Sequence, residues 1–268
     1  MSSLISSLSS TLTSGINAVQ KGIVDTQSQL ATGSKILNAA EVGIVTRLSA
    51  QATGYRSVSQ NIAAGTNVIN VGNTALNSIT TLLSQAKDIA TQAANAGLQT
   101  SDRTALNTTF GQLVAQVANL ITNAGVNGEN VLVSGGTNLT VQSGITGGTA
   151  SQTTITNLNI STTSLGVNLA TVATQTGAQS AIDSLTTALS SVSTFQSTLS
   201  ATKTGLDSSA AASLSLSTNL QATVDSIQNV DQTALQAKLQ QLNNQQSIDY
   251  YLISQMNTAA QAALTIFR

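Results

Sequence analysis

The sequence predicts a mainly α-helical fold, in which long antiparallel coiled-coil-like helices from both chain ends flank a small β-hairpin insert. Three observations predict it. Proline is absent from all 268 residues, so nothing imposes the kink or break that proline puts into a helix. Apolar and small residues recur at seven-residue spacing through both halves of the chain, the seam pattern of packed helices. Between the halves, residues 130–182 contain no charged side chain, and glycine-rich punctuation separates short β-type runs.

The first element is a stripe of Ile5, Leu8, Leu12, Ile16, Val19, Ile23 and Leu30, weakened by Gly15 and Gly22. From Leu48 a stricter pattern begins: Leu48, Tyr55, Ile62, Ile69, Leu76, Leu83 and Ala90 fall seven residues apart. Three positions further on stand Val58, Gly65, Gly72, Ile79, Ala86 and Ala93. The glycines allow close backbone approach at a cost in helix propensity, and the helix spans about 70 Å at 1.5 Å per residue. The segment NAGLQTSDR then reads as a turn, with Gly97 stopping the helix, Ser101 capping the next and Asp102 in its first turn. Leu106, Phe110, Leu113, Val117, Leu120 and Ala124 follow at alternating four and three spacing, a helix folding back along the first.

In the insert, SGG and SGITGG separate the runs Val131 to Val133, NLTVQ and TTITNLNI. Helical periodicity resumes at Ile182 with Leu185, Val192, Leu199, Leu206, Leu220 and Ile227, interrupted at Ser213. The last stretch carries Leu235, Leu239 and Leu242, then Ile248, Leu252, Met256, Leu264 and Phe267. The chain thus divides into a terminal helix over residues 1–40 and a long helix with its return over 41–124. A β-hairpin region follows over 125–177, then a second long helix over 178–230 and a terminal helix over 231–268.

Stripes in the middle of the chain read as the core of a bundle. The terminal stripes have less intrachain support. Burying a Leu or Ile is worth roughly 1.5–3 kcal/mol, whereas ordering each residue costs about 1–2 kcal/mol of backbone entropy. A terminal helix this rich in Ser and Gly is marginal alone, so both ends are expected to fold when another copy supplies the missing surface.

Composition excludes several function classes. Only 7% of residues are charged, against roughly 25% in ordinary soluble proteins. Net charge is −1 and aromatic residues make up 2%, so neither a basic nucleic-acid footprint nor a base-stacking platform is present. No run of about 18 apolar residues predicts membrane insertion. The first twenty residues carry no side-chain charge, unlike the basic start of a secretory signal. Without His or Cys, common general bases, catalytic triads and histidine-based zinc motifs are unavailable. The acids are scattered, and Asp225 and Asp231 stand too far apart to share a helix face. A nucleophilic serine needs an activating arrangement such as a Gly-x-Ser-x-Gly elbow; SGGT and GITGG read as turns instead. No catalytic residue, metal or cofactor is expected. Asn107, Asn138 and Asn159 open Asn-x-Ser/Thr triplets, which arise by chance in a chain so rich in Asn and Thr. An amphipathic membrane-surface protein would need a basic rim along its apolar face, which these helices lack.

With these residues on the page, the chain resembles bacterial flagellin over nearly its whole length. LATGSKILNAA is similar to the family's Ser-Gly-x-Arg-Ile stretch, with Gly33 and Lys35 at the Gly and basic positions. The run from Arg47 to Arg103 follows the family's long helix and turn, with Gly54, Asn61, Gly65, Ala75, Leu76 and Asn77 on matching positions. NGENVL at 127–132 resembles the signature where the helix gives way to hairpins, and the C-terminal segment shares the aliphatic finish before Arg268. The chain departs from the family between Gly33 and Arg47, where it is about one helical turn shorter. It departs again at Val126, where Phe usually stands, and in lacking large outer domains.

The resemblance implies a structural subunit that self-assembles into the flagellar filament, its terminal helices forming an inner coiled-coil tube. Ile5, Leu8, Leu12, Ile16, Val19, Ile23, Leu30, Leu239, Leu242, Ile248, Leu252, Met256, Leu264 and Phe267 are then the assembly stripe. It also implies export through the flagellar type III apparatus without a cleaved signal, an export chaperone, and hook-associated and filament-cap proteins as partners. The innate Toll-like receptor would read the segment holding Leu83, Gln85, Lys87, Asp88 and Ile89, where Gln85 stands at the family's Arg position. The related alternative is a hook-associated protein joining hook and filament; the small insert and the final Ile-Phe-Arg favour flagellin.

Overall fold

A computed structural model describes residues 2–266, with side-chain burial defined over 7–262; Phe267 lies outside the described residues, and the side chains of Ile5 and Leu264 lie outside those described. The expected mainly helical fold is observed. Helix α1 spans Ser2–Thr32, α2 Ala39–Ala93 and α3 Thr100–Asn123. Strands β1 (Leu139–Gln142) and β2 (Gln152–Ile155) follow, with a 3-10 turn at Thr149–Ser151 between them. Helices α4 (Gln175–Gln228) and α5 (Gln232–Ile266) complete the chain. Two compact units result: Gln51–Asn219 forms one, and Met1–Ala50 with Leu220–Arg268 the other.

In the larger unit the seven-residue repeat of α2 becomes a closed core. Ile62, Ile69, Leu76, Ile79 and Leu83 are wholly buried, together with Leu185, Leu199 and Leu206 of α4 and Phe110 and Val117 of α3. Leu48, in the smaller unit, and Tyr55 are half-buried, as are Leu106, Leu113 and Leu120. The antiparallel course of α2 and α4 shows in two bonds: Ser217 Oγ donates to the Ala52 carbonyl at 2.8 Å, and Gln196 Nε2 to Asn77 Oδ1 at 2.8 Å. Ser213 does not interrupt α4. It is 5% exposed and occupies the seam as a small side chain, while Leu214 and Leu216 point outward.

β1 and β2 pair antiparallel, Leu139 opposite Ile155, and lie on α2 at Gly65. A Cβ there would stand 2.6 Å from Val141 Cγ2, so only glycine permits this approach. Val131 to Val133 is not a third strand of that sheet; it runs beside 158–160, with Leu158 and Ile160 donating to the carbonyls of Val131 and Leu132. Val126 and Glu129 exchange both backbone hydrogen bonds at 3.0 Å around a two-residue turn.

Two helix ends differ from the sequence expectation. α2 stops at Ala93, before Gly97, and Arg103 supplies the missing donors: its Nε donates to the Ala93 carbonyl at 2.9 Å and its Nη2 to that of Asn95 at 2.8 Å. A helix leaves its last carbonyls unpaired, and the guanidinium satisfies that of Ala93 with a favourable charge while its other arm holds the Asn95 carbonyl of the turn beyond. Ser101 does not cap α3; the cap position is Gln99, without a side-chain bond, and Ser101 sits inside the first turn. α4 begins earlier than Ile182 because Thr174 Oγ1 accepts the Gly177 N–H at 3.0 Å, a cap that starts the helix seven residues sooner.

Candidate assembly surface

In the smaller unit α1 and α5 pack antiparallel. Gln20 Nε2 donates to the Tyr250 hydroxyl at 3.0 Å, Gly22 meets Leu242, and Ser34 bridges Asn229. On α1 the covered face carries Ile16, Val19 and Thr26, 7%, 6% and 2% exposed, with Leu12, Ile23 and Leu30 half-buried between them. On α5 the facing positions are Leu235, Leu239, Leu242, Gln246, Asp249, Ile253 and Met256, all half-buried. Both rows alternate four and three residues, so each helix keeps one face on its partner.

The expected assembly stripe therefore splits between two faces. Leu12, Ile16, Val19, Ile23, Leu30, Leu239, Leu242 and Met256 lie in the seam, whereas Ile248 and Leu252 face away, 58% and 46% exposed, and Leu8, on the seam side of α1 one turn before Leu12, is 55% exposed. Val24, Tyr250 and Tyr251, not anticipated from the stripe, are exposed as well. The physical reason is that α5 is apolar around much of its circumference between residues 248 and 256. Periodicity cannot choose its inward face, and contact with α1 does. The signal that could have found Val24 and Tyr251 is the absence of a charged back to either helix: Lys21, Asp25, Lys238 and Asp249 are the charged side chains of α1 and the described part of α5, and Lys21 and Asp25 pair with each other at 2.5 Å. Ile248, Tyr251 and Leu252 stand three and four residues apart on α5, so they share one exposed side of it.

Where the two helices meet the rest of their unit, the turns are tightly made. Gly33, at φ 68°, ends α1 in the left-handed region, and the Lys35 N–H donates to the Gln228 carbonyl at 2.7 Å. Asn38 and Glu41 form a reciprocal cap on α2: Asn38 Oδ1 accepts the Glu41 N–H and Glu41 Oε2 the Asn38 N–H, each at 2.9 Å. Lys35 Nζ stands 2.6 Å from Glu41 Oε1. The lysine bond, then the Asn38 N–H, hold the Glu41 carboxyl below its usual 4.5. Asp231 caps α5, its Oδ1 accepting the N–H groups of Thr233 and Ala234.

Other candidate residues divide by burial. Of the receptor-like segment, Leu83 is fully buried, Lys87 and Ile89 are half-buried, and Gln85 and Asp88 are exposed. The triplet asparagines hold loops: Asn107 Oδ1 accepts from Thr171 and Val172, Asn138 Oδ1 from the Asn157 N–H, and Asn159 Oδ1 from the Gly135 N–H. Two Ser-x-x-Lys spacings bring no nucleophile and base together. Ser84 donates to the Thr80 carbonyl, and Lys203 pairs with Asp207. Among the described residues no cluster of three metal-ligating side chains forms, and no helix is long and apolar enough to cross a membrane.

The family described as the bacterial flagellin N-terminal helical region matches residues 4–137. The chain is 28% identical over 261 residues to flagellin FljO of Caulobacter vibrioides, covering 94% of this chain and 93% of that one. It is 26% identical over 253 residues to a flagellin of Halalkalibacterium halodurans, with the same coverage. The crystal structure of Bacillus cereus flagellin is 23% identical in sequence, at a TM-score of 0.49 over 57% of this chain and 85% of that one.

Proposed function

The chain belongs to the bacterial flagellin family, and on that premise we propose how its two ends build a polymer. As a flagellin it is a structural subunit of the bacterial flagellar filament, which lies outside the cell. Neighbouring copies cover the outward faces of α1 and α5, so that residues 1–40 and 231–268 make the inner core of the filament. Residues 41–124 and 178–230 form the layer around it. The exposure of Leu8, Val24, Ile248, Tyr251 and Leu252 carries this reading. A two-helix pair buries one seam, and each Leu or Ile left outside forgoes roughly 1.5–3 kcal/mol until another copy covers it. Before assembly the same faces suit an export chaperone, which would keep the subunit from polymerising ahead of passage through the type III apparatus. Hook-associated proteins would then seat the first copies, and a cap protein the later ones.

Electron microscopy of the full chain before and after ammonium sulfate tests the proposal, because sulfate strengthens apolar burial. Long uniform filaments are expected from the full chain and none from a chain lacking residues 1–30 and 240–268. Failure of the full chain to grow, even on flagellar seeds, would sink the proposal. Gln85, exposed at the position where the family presents Arg to its Toll-like receptor, makes weak receptor activation the expected outcome. A charge-assisted contact is worth about 1.5–3 kcal/mol, so Gln85→Arg should raise potency about tenfold or more in a reporter-cell assay.

A further inference from the structure

Within the larger unit, the loop of residues 161–174 holds Leu169 at 86% exposure, the highest value of any large apolar side chain among the described residues. It is not a slack loop. Leu165, Val167 and Val172 around it are buried at 3%, 0% and 0%. The N–H groups of Val167 and Asn168 donate to the Thr162 carbonyl, and Asn107 Oδ1 on α3 accepts both the Thr171 hydroxyl and the Val172 N–H at 2.9 Å. The fold thus holds a leucine in water on a braced support, where burial within the chain gains nothing from it.

The same unit has a matching concavity. Between α2 and α3 runs a groove of about 490 Å³ floored by Leu82 and Leu120, with Ser78, Thr81, Gln116 and Asn119 along its edges. The hydroxyls of Ser78 and Thr81 already donate to the carbonyls of Thr74 and Asn77 on their own helix, so covering them strands no donor. Neither the groove lining nor the loop contains an ionisable side chain; two copies meet there without charge desolvation or repulsion. From Asn107, which anchors the loop, to Gln116 in the groove is nine residues. At 3.6 residues per turn that is about two and a half turns, so loop and groove lie on opposite sides of α3. A copy cannot fill its own groove. A knob on one side and a hole on the other make a heterologous contact, which propagates into a chain of copies and does not close as a dimer.

We infer that Leu169 of one copy seats in the α2–α3 groove of the next, forming a head-to-tail contact of the polymer in addition to the cover of α1 and α5. This rests on the filament-forming role proposed above.

The chain contains no cysteine, so Leu169→Cys and Ser78→Cys, both at exposed positions, can be combined in the full chain and treated with a short bis-maleimide after polymerisation. The expected result is a ladder of covalent multimers from filaments of the double variant, absent from either single variant and from monomer below the critical concentration. Filaments that yield no ladder beyond the single variants would overturn the contact while leaving the filament role standing. Failure of the unaltered chain to polymerise would instead overturn that role. If the double variant alone fails to grow, Leu169→Ser decides: a critical concentration raised about tenfold or more with unchanged monomer melting supports the contact, and an unchanged critical concentration refutes it.

Discussion

The two units use the same residue alphabet to opposite ends. In Gln51–Asn219, three helices and a hairpin surround one another, and Ile62, Ile69, Leu76, Leu132, Ile155, Leu185 and Leu206 are buried in one shared core. In the other unit, the pair α1 and α5 buries Ile16, Val19 and Thr26 while Val24, Ile248, Tyr251 and Leu252 stay open. The difference is the number of layers. Two helices share one seam, so a helix that is apolar on more than one face keeps part of that surface exposed. The first unit buries its seam within the chain, and on the proposed assembly neighbouring copies cover what the second leaves open.

The widest separation between the units should come from matched leucine truncations. Leu76→Ala, at 0% exposure, is expected to cost about 2–5 kcal/mol of monomer stability, read from denaturant unfolding. Leu252→Ala, at 46% exposure, should change monomer stability by about 0.5 kcal/mol or less yet raise the critical concentration for polymerisation. Equal effects of the two on monomer unfolding would break the comparison. Next in size is Arg103→Ala, which strips both donors from the end of α2. A loss of about 1.5–3 kcal/mol is expected, and faster amide exchange over 93–103 should accompany it. Smaller still is Thr66→Val. The Thr66 hydroxyl is buried without a partner, unlike most helical threonines here, which bond the carbonyl four residues back. Its removal should stabilise the larger unit by up to about 1 kcal/mol, and a lower melting temperature would contradict this.

The smallest effect belongs to the exposed Glu41 cap. Its folded carboxyl lies below the ordinary value of 4.5, so its contribution is fully present above that value and is lost as pH falls through the folded one. The hydrogen-exchange protection factor at the start of α2, corrected for the intrinsic pH dependence of exchange, should therefore fall on acidification below about pH 4.5 in the native chain and show no such step in Glu41→Gln.

How much of this was legible beforehand follows from the same contrast. The α2 seam could be read residue by residue because its apolar positions are narrow: one row at seven-residue spacing, a second three residues on, polar side chains elsewhere. Ser213 misleads because a small polar residue in a row of leucines looks like a gap, although its buried side chain occupies the seam of a continuous helix. Gly97 is a local signal for the end of α2 that Arg103 overrides from ten residues away, and Ser101 lies inside α3 because the helix starts at Thr100. Leu169 and the groove gave no signal at all, since a loop leucine and a helix–helix concavity have no period.

By itself, the sequence determined the long helices and the charge-poor hairpin insert between them, because these depend on proline absence, heptad spacing and composition along the chain; its motifs carried the resemblance to flagellins. Only the tertiary structure decided which face of α5 turns inward, setting Gln246, Asp249 and Ile253 against α1 and leaving Ile248 and Leu252 outside. A helix apolar on several faces has no inward face of its own, and the partner it packs against supplies one.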